Sequence, residues 1–328
     1  MTVKVIAKIP RHFHFIWLRP RREPLPLPWY LALESCFAVN RPERVSFYVL
    51  EEPIGDLWER VRERLDVQVV ALAPEVEKIP ETSPLRRFRW AHHADFIRLD
   101  KLIAHGGVYA DLDTLFVAPI PDALYAQPFV IGHEAPVDGQ PSLSNCLMMA
   151  EPGSELARLW RASMSAAFDG ESWTRHSCEL VTRLAAAHPE IVHVAPMRTF
   201  SAFEHTKEGV RRLMTGFDKN LDGIASVHLC AHTWWDVDVV WRTSLFGAML
   251  TPDWIRAVDT TYNVLARPYL PPGPPPSSPK AAALRAALHA VHQADVLLDQ
   301  TELGRAALLA RLRPALRPLV HAWRRFRS

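Results

Sequence analysis

The chain has 328 residues, of which 48% are hydrophobic and 23% charged, and its formal net charge is +2. That length can bury one large core or two modest ones, and the near-neutral balance gives no bulk electrostatic case for a nucleic-acid partner. No apolar run reaches the length of a membrane span, and the N-terminus lacks an apolar stretch ahead of a small-residue cleavage site, so no export signal is read. Four cysteines (Cys36, Cys146, Cys178 and Cys230), none in a Cys-x-x-Cys pair, fit a reduced cytoplasmic protein.

The first half alternates strand and helix patterns. Residues 12–18, HFHFIWL, alternate and predict a strand with Phe13, Phe15 and Trp17 on one side. Residues 29–40 predict a helix with Asn40 as its cap. A β-branched and aromatic strand follows at 45–50, a helix at 56–65 and a short buried strand at 67–72. A helix over about 86–105 leads into a strand at 108–117. This order predicts an α/β fold, a mostly parallel sheet with helices on both faces, which binds ligands at the carboxyl ends of its strands. Further strands are expected at 128–133, 145–150 and 226–231, and a helix at 154–168. Residues 268–279, PYLPPGPPPSSP, cannot be helical and read as a linker. The expected organisation is a domain over 1–267, this linker, and a C-terminal helical extension over 280–328 with helices at 280–300 and 302–327.

Asp111 and Asp113 close an apolar run directly after Gly106-Gly107. The glycines are expected to cap the preceding helix and turn the chain. On a strand, residues two apart face one way, about 6–7 Å apart. Two carboxylates in an apolar setting cost several kcal/mol, on the order of magnitude known for buried charge, unless a cation compensates, and a hard divalent ion bridging to diphosphate oxygens would do so. A solvated strand end is the plainer alternative. Asp236 and Asp238 form a second Asp-x-Asp, so the pattern alone is weak. Upstream, Asp95 and Arg98 are three apart on one helix face, which by itself suggests an ordinary surface ion pair.

The segment ADFIRLDKLIAHGGVYADLDTL, residues 94–115, resembles the core signature of the DXD-type glycosyltransferases of family 32. The shared pattern is Ala/Ser-Asp-x-x-Arg, a leucine-rich turn, then Gly-Gly-x-Tyr-x-Asp-x-Asp. The resemblance implies a GT-A-like, Rossmann-type sheet and transfer of a sugar from a nucleotide-sugar donor. On it, Asp111 and Asp113 would hold Mn²⁺ or Mg²⁺, and Asp95 and Arg98 would hold sugar hydroxyls, so that substituting Arg98 should nearly keep stability and lose transfer. IPRHFHFIWL resembles the family's first strand, which makes Trp17 the platform for the nucleotide base. SLSNCLMMAEPGS resembles its Asn-containing strand, and Asn145 would then bond the donor sugar or the acceptor. SVHLCAHTWWD resembles its closing segment. There His228 would join the metal shell, with His232 an alternative, and Thr233 and Trp234 would touch the diphosphate. The family's Thr-Gly-Pro segment is absent near residues 172–182, which leaves the acceptor side undetermined.

The expected activity is therefore a metal-dependent, retaining hexosyl transfer from a UDP- or GDP-sugar to a saccharide or lipid-linked acceptor, as in polysaccharide biosynthesis. One alternative is an aspartyl-phosphate phosphatase using Asp111-Leu-Asp-Thr-Leu, although position 115 is Leu where that pattern takes Thr or Val. The other is a non-catalytic sugar-binding relative. Finally, Leu309, Leu312, Leu316, Leu319, Trp323 and Phe326 form one helical stripe among arginines in residues 305–328. Such a basic amphipathic element suits peripheral contact with the inner membrane face. Packing on the 280–300 helix or on a second protomer is the alternative.

Overall fold

The structure is a computed structural model and describes residues 8–137, 139–231 and 249–300. Its first compact unit comprises residues up to 204 together with 223–228. The sheet of this unit starts with β1 (His12–Trp17), β2 (Arg44–Val49) and β3 (Asp66–Val69), which run parallel with β1 innermost. Next to β1 lies β4 (Gly107–Ala110), also parallel. Then come β7 (Gln140–Ala150), β6 (Phe129–Val137) and β8 (His193–Ala195), in that order. Only β7 opposes its neighbours. The expected mostly parallel α/β sheet is thus present.

β1 is buried on both faces, as a central parallel strand must be. Phe13, Phe15 and Trp17 face α1 (Leu27–Asn40), where Trp17 meets Trp29 edge-on at 6.2 Å. Its other face carries His14, fully buried, which bonds the Tyr48 hydroxyl at 2.9 Å and the Gly106 carbonyl at 2.7 Å. Asn40 does not act as a cap. Helix α1 ends at Arg41 in the left-handed region, and the Asn40 side-chain oxygen accepts from the Ile120 backbone N–H at 3.1 Å. The 56–65 helix divides into α2 (Asp56–Val61) and a 3₁₀ turn. β3 is an edge strand with Val69 exposed, not the buried strand expected. Composition cannot separate edge from centre, because β-branched residues suit both.

Helix α3 (Arg89–His105) buries Phe96, Leu99 and Leu102 on the opposite face of the sheet from α1, with α4 (Glu155–Ala167) and α5 (Cys178–Ala187) in the same core. It ends where expected. Gly106 has φ +62 and its N–H bonds the Leu102 carbonyl. Gly107 has φ +107, and a Cβ there would stand 2.1 Å from the His12 carbonyl oxygen. Only glycine lets β4 dock this closely against β1.

The 108–117 strand is not continuous. β4 stops at Ala110, a turn closes through the Thr114 N–H to the Asp111 carbonyl at 3.0 Å, and the chain restarts as β5 (Thr114–Phe116). β5 leaves the main sheet and pairs antiparallel with β9 (Ser226–His228), the shortened form of the 226–231 strand. Asp111 and Asp113 therefore occupy a turn between two sheets, not one strand face. The alternation of apolar residues runs through the break and hides it.

The second unit comprises residues 205–222 and those from 229 onward. Its helices are α7 (Lys207–Met214), α8 (Pro252–Ala257), α9 (Thr261–Ala266) and α10 (Ser278–Gln300), the short α6 (Met197–Phe200) belonging to the first unit. Thr206, Thr251 and Thr260 cap α7, α8 and α9 through their hydroxyls, the usual remedy for unpaired N-terminal N–H groups. His292 of α10 bonds the Thr215 carbonyl at 2.7 Å. The arginine-rich stripe beyond residue 300 lies outside the described residues. Among these, no helix is long and apolar enough to cross a membrane.

Gly107→Ala should destabilise the first unit by at least about 3 kcal/mol, combining a strained φ with an overpacked contact. Urea unfolding followed by tryptophan fluorescence measures it, and a change below about 1 kcal/mol would contradict the close β4–β1 contact.

Candidate functional site

Two chain segments deliver carboxylates and an imidazole to the carboxyl end of β4. The turn after β4 supplies Asp111 and Asp113, and β9 supplies His228. His228 Nε2 lies 2.9 Å from Asp113 Oδ1 and 3.7 Å from Asp111 Oδ2. One ligand atom from each of the three residues falls within 4.8 Å of the others. All three are largely buried, His228 most deeply. The pairing of β5 with β9 sets Thr114 opposite His228, and so brings in a residue 115 positions away.

Asp111 is fixed from several sides. Its backbone N–H donates to the Cys146 carbonyl at 2.8 Å. The Tyr109 hydroxyl donates to Oδ1 at 2.5 Å, and Arg98 Nη2 lies 3.5 Å from the same oxygen. Burial, with a smaller contribution from Asp113, still raises the Asp111 carboxyl above its ordinary value, against the pull of Arg98 and His228. A cation beside Asp111 would offset the cost of keeping that carboxylate ionised.

Arg98 is the centre of the arrangement. It is 5% exposed, not a surface residue. Nη1 donates to the Asn145 carbonyl at 2.7 Å, Nη2 lies 3.1 Å from Asp95 Oδ1, and the guanidinium stands 4.4 Å over the Tyr109 ring. Asp95 is equally enclosed. Its Oδ1 also accepts from Asn145 Nδ2 at 2.8 Å, and its Oδ2 lies 3.0 Å from His176 Nε2. Burial pushes the Asp95 carboxyl up, but Arg98 and then His176 outweigh it and hold it below the ordinary value. Asp95 and Arg98 are therefore a buried pair rather than a solvated one. Helical spacing alone cannot tell these apart, because burial depends on what packs over the helix.

Asn145 lies within β7, where the pairing with β6 shifts between Ile131 and Gly132. Such a bulge re-aims side chains, and Asn145 is aimed at Asp95, with Cys178 Sγ 3.6 Å from its Oδ1. Trp17 is 3% exposed, and its Nε1 has no hydrogen-bond partner among the described residues. Thr233, Trp234 and His232 lie outside the described residues.

Sequence reasoning missed Tyr109, Cys178 and the histidines His92 and His176. Tyr109 was visible as the tyrosine of the Gly-Gly-x-Tyr-x-Asp pattern. His92 stands three residues before Asp95 on the same helix face. Burial lowers its imidazole to about 4, so it is neutral at physiological pH. His176 gave no signal, because nothing local links the turn before α5 to α3.

Residues 30–130, which include Asp95, Arg98 and the Asp-x-Asp, match the family described as glycosyltransferase sugar-binding region containing DXD motif. Over that span the chain is similar to DXD-type glycosyltransferases. It is 29% identical over 276 residues, 80% of this chain and 71% of the relative, to Glucan organizing enzyme 1 of Cryptococcus neoformans var. grubii. Among solved structures it is similar to the PaToxG glycosyltransferase, at 14% identity and a TM-score of 0.40 over 55% of this chain and 70% of that one. It is also similar to the galactosyltransferase LgtC solved with donor and acceptor sugar analogues, at 14% identity and a TM-score of 0.40 over 73% of this chain and 96% of that one. The phosphatase reading of Asp111–Leu115 is set aside, since that segment lies inside the glycosyltransferase match.

Arg98→Ala is expected to cost about 3–5 kcal/mol of stability, because it leaves Asp95 buried without its partner. Chemical denaturation of this variant tests the buried pair, and a loss under about 1 kcal/mol would return it to a surface ion pair.

Proposed function

We propose that this glycosyltransferase moves a hexose from a UDP- or GDP-sugar to a saccharide or lipid-linked acceptor, with retention, using a divalent ion held by Asp111, Asp113 and His228. The observation that carries the reading is the convergence of those three side chains within 4.8 Å. Two carboxylates and one imidazole fit Mn²⁺, while the carboxylates alone would suit Mg²⁺. When bound, the ion supplies Lewis-acid stabilisation of the departing diphosphate.

The chain's own residues do the remaining work. The Tyr109 hydroxyl and the Arg98 guanidinium hold Asp111 in one orientation. Asp95, Arg98 and Asn145 present a preorganised polar edge to the sugar hydroxyls, and such positioning fixes the anomeric carbon against the incoming acceptor. Thr233 and Trp234 contact the diphosphate. Retention follows from the family resemblance, with the leaving phosphate oxygen taking the acceptor proton. A polysaccharide acceptor is favoured by the relative named a glucan organizing enzyme. The arginine-rich stripe of residues 305–328 gives the enzyme peripheral contact with an anionic leaflet at the cytoplasmic face, each arginine adding about 1 kcal/mol.

A screen of UDP- and GDP-sugars with Mn²⁺, reading release of nucleoside diphosphate, tests the chemistry. Asp113→Ala should abolish release and Asp111→Ala nearly so. EDTA should remove activity and Mn²⁺ restore it, while Asp236→Ala should retain most of it. Full activity of Asp113→Ala in excess EDTA would refute the assignment. For the membrane contact, the full chain should sediment with anionic liposomes at low salt and be released at high salt. Sedimentation that ignores both lipid charge and salt would remove the membrane proposal.

A further inference from the structure

Two buried histidines stand on the oxygen of Asp95 that Arg98 and Asn145 do not use. His176 Nε2 lies 3.0 Å from Asp95 Oδ2, and His92 Nδ1 lies 3.9 Å from the same oxygen. Both histidines are fully buried, and one ligand atom from each of His92, Asp95 and His176 falls within 4.8 Å of the others. Among the described residues, both ring nitrogens of His92 and Nδ1 of His176 lack a hydrogen-bond partner. Each such buried, unsatisfied group has lost its hydrogen bonds to water without replacement. Native structures seldom leave several together without an ion or water to account for them.

The surroundings favour an ion over a water cluster. The rings of Phe168 and Trp173 stand 5.6 and 5.1 Å from His92, and Phe96 and Phe168 stand 5.9 and 4.9 Å from His176. This aromatic wall offers a water little else to bond. We propose that His92, Asp95 and His176 form a second metal site, one that takes Zn²⁺ and ties α3 to the turn before α5. Two imidazoles and a carboxylate suit zinc, whereas Mg²⁺ and Ca²⁺ prefer oxygen-rich shells. The other oxygen of Asp95 already accepts from Asn145 Nδ2 and pairs with Arg98, the outer bonding that orients a ligating carboxylate. Charge also allows it. Asp95 and Asp111 both pair with the guanidinium of Arg98, which leaves one carboxylate charge for a cation to offset. The site does not rest on the sugar-transfer reading.

The test is zinc content. Full-length chain is loaded with Zn²⁺, dialysed exhaustively against zinc-free buffer and assayed by elemental analysis. The wild type and the Asp111→Asn/Asp113→Asn double variant should each retain one zinc per chain, while His92→Gln and His176→Gln should lose it. X-ray absorption on the zinc-loaded double variant should show two imidazoles and oxygen in the shell, and it decides the matter even where a histidine variant fails to fold. A wild type that holds no zinc, histidine variants that hold as much as wild type, or a shell with fewer than two imidazoles would each overturn the proposal.

Discussion

Everything at the carboxyl end of this sheet depends on one buried guanidinium. A charge removed from water is tolerated only when its partners are close and well aligned. Arg98 meets that condition with Asp95 and Asp111, the Asn145 carbonyl and the face of Tyr109. These partners come from α3, β4, the turn after it and β7. Satisfying one side chain therefore fixes how four segments meet, and the Asp-x-Asp turn inherits that geometry.

Helix α3 serves both sides of this arrangement. Phe96, Leu99 and Leu102 seat it on the sheet. His92, Asp95 and Arg98, at the same three-residue spacing, form a polar row along another side. The apolar row holds the helix at a fixed height over β4, which Gly107 permits by letting β4 approach β1 without a Cβ in the way. The polar row can then be buried because the protein, rather than water, satisfies it. Where it is not satisfied by protein, at His92 and His176, the orphaned nitrogens mark a place where a further group belongs.

The acidic turn shows a different economy of design. By breaking the strand after Ala110, the chain frees Asp111 and Asp113 from a pleat that would have separated them along one direction. The restart as β5 then recruits β9 and with it His228. A continuous strand would have kept the carboxylates in the main sheet, away from β9 and its imidazole.

Much of this was legible in the sequence. The β-α order, the glycine pair that ends α3 and the place of Asn145 in a strand follow from local rules of dihedral preference and apolar periodicity, while the spacing from Asp95 to Asp111 counted through the family resemblance. The local rules determined the fold class, and the resemblance singled out Asp111 and Asp113 over Asp236 and Asp238. Only the tertiary structure decided three things. It broke the 108–117 segment in two, because strand patterning reports burial and not which sheet a residue joins. It buried Asp95 and Arg98, because exposure of a helix face is set by the segments that cover it. It brought His176 to Asp95 from 81 residues away, because no local propensity records a contact made only when distant segments pack around a common charge.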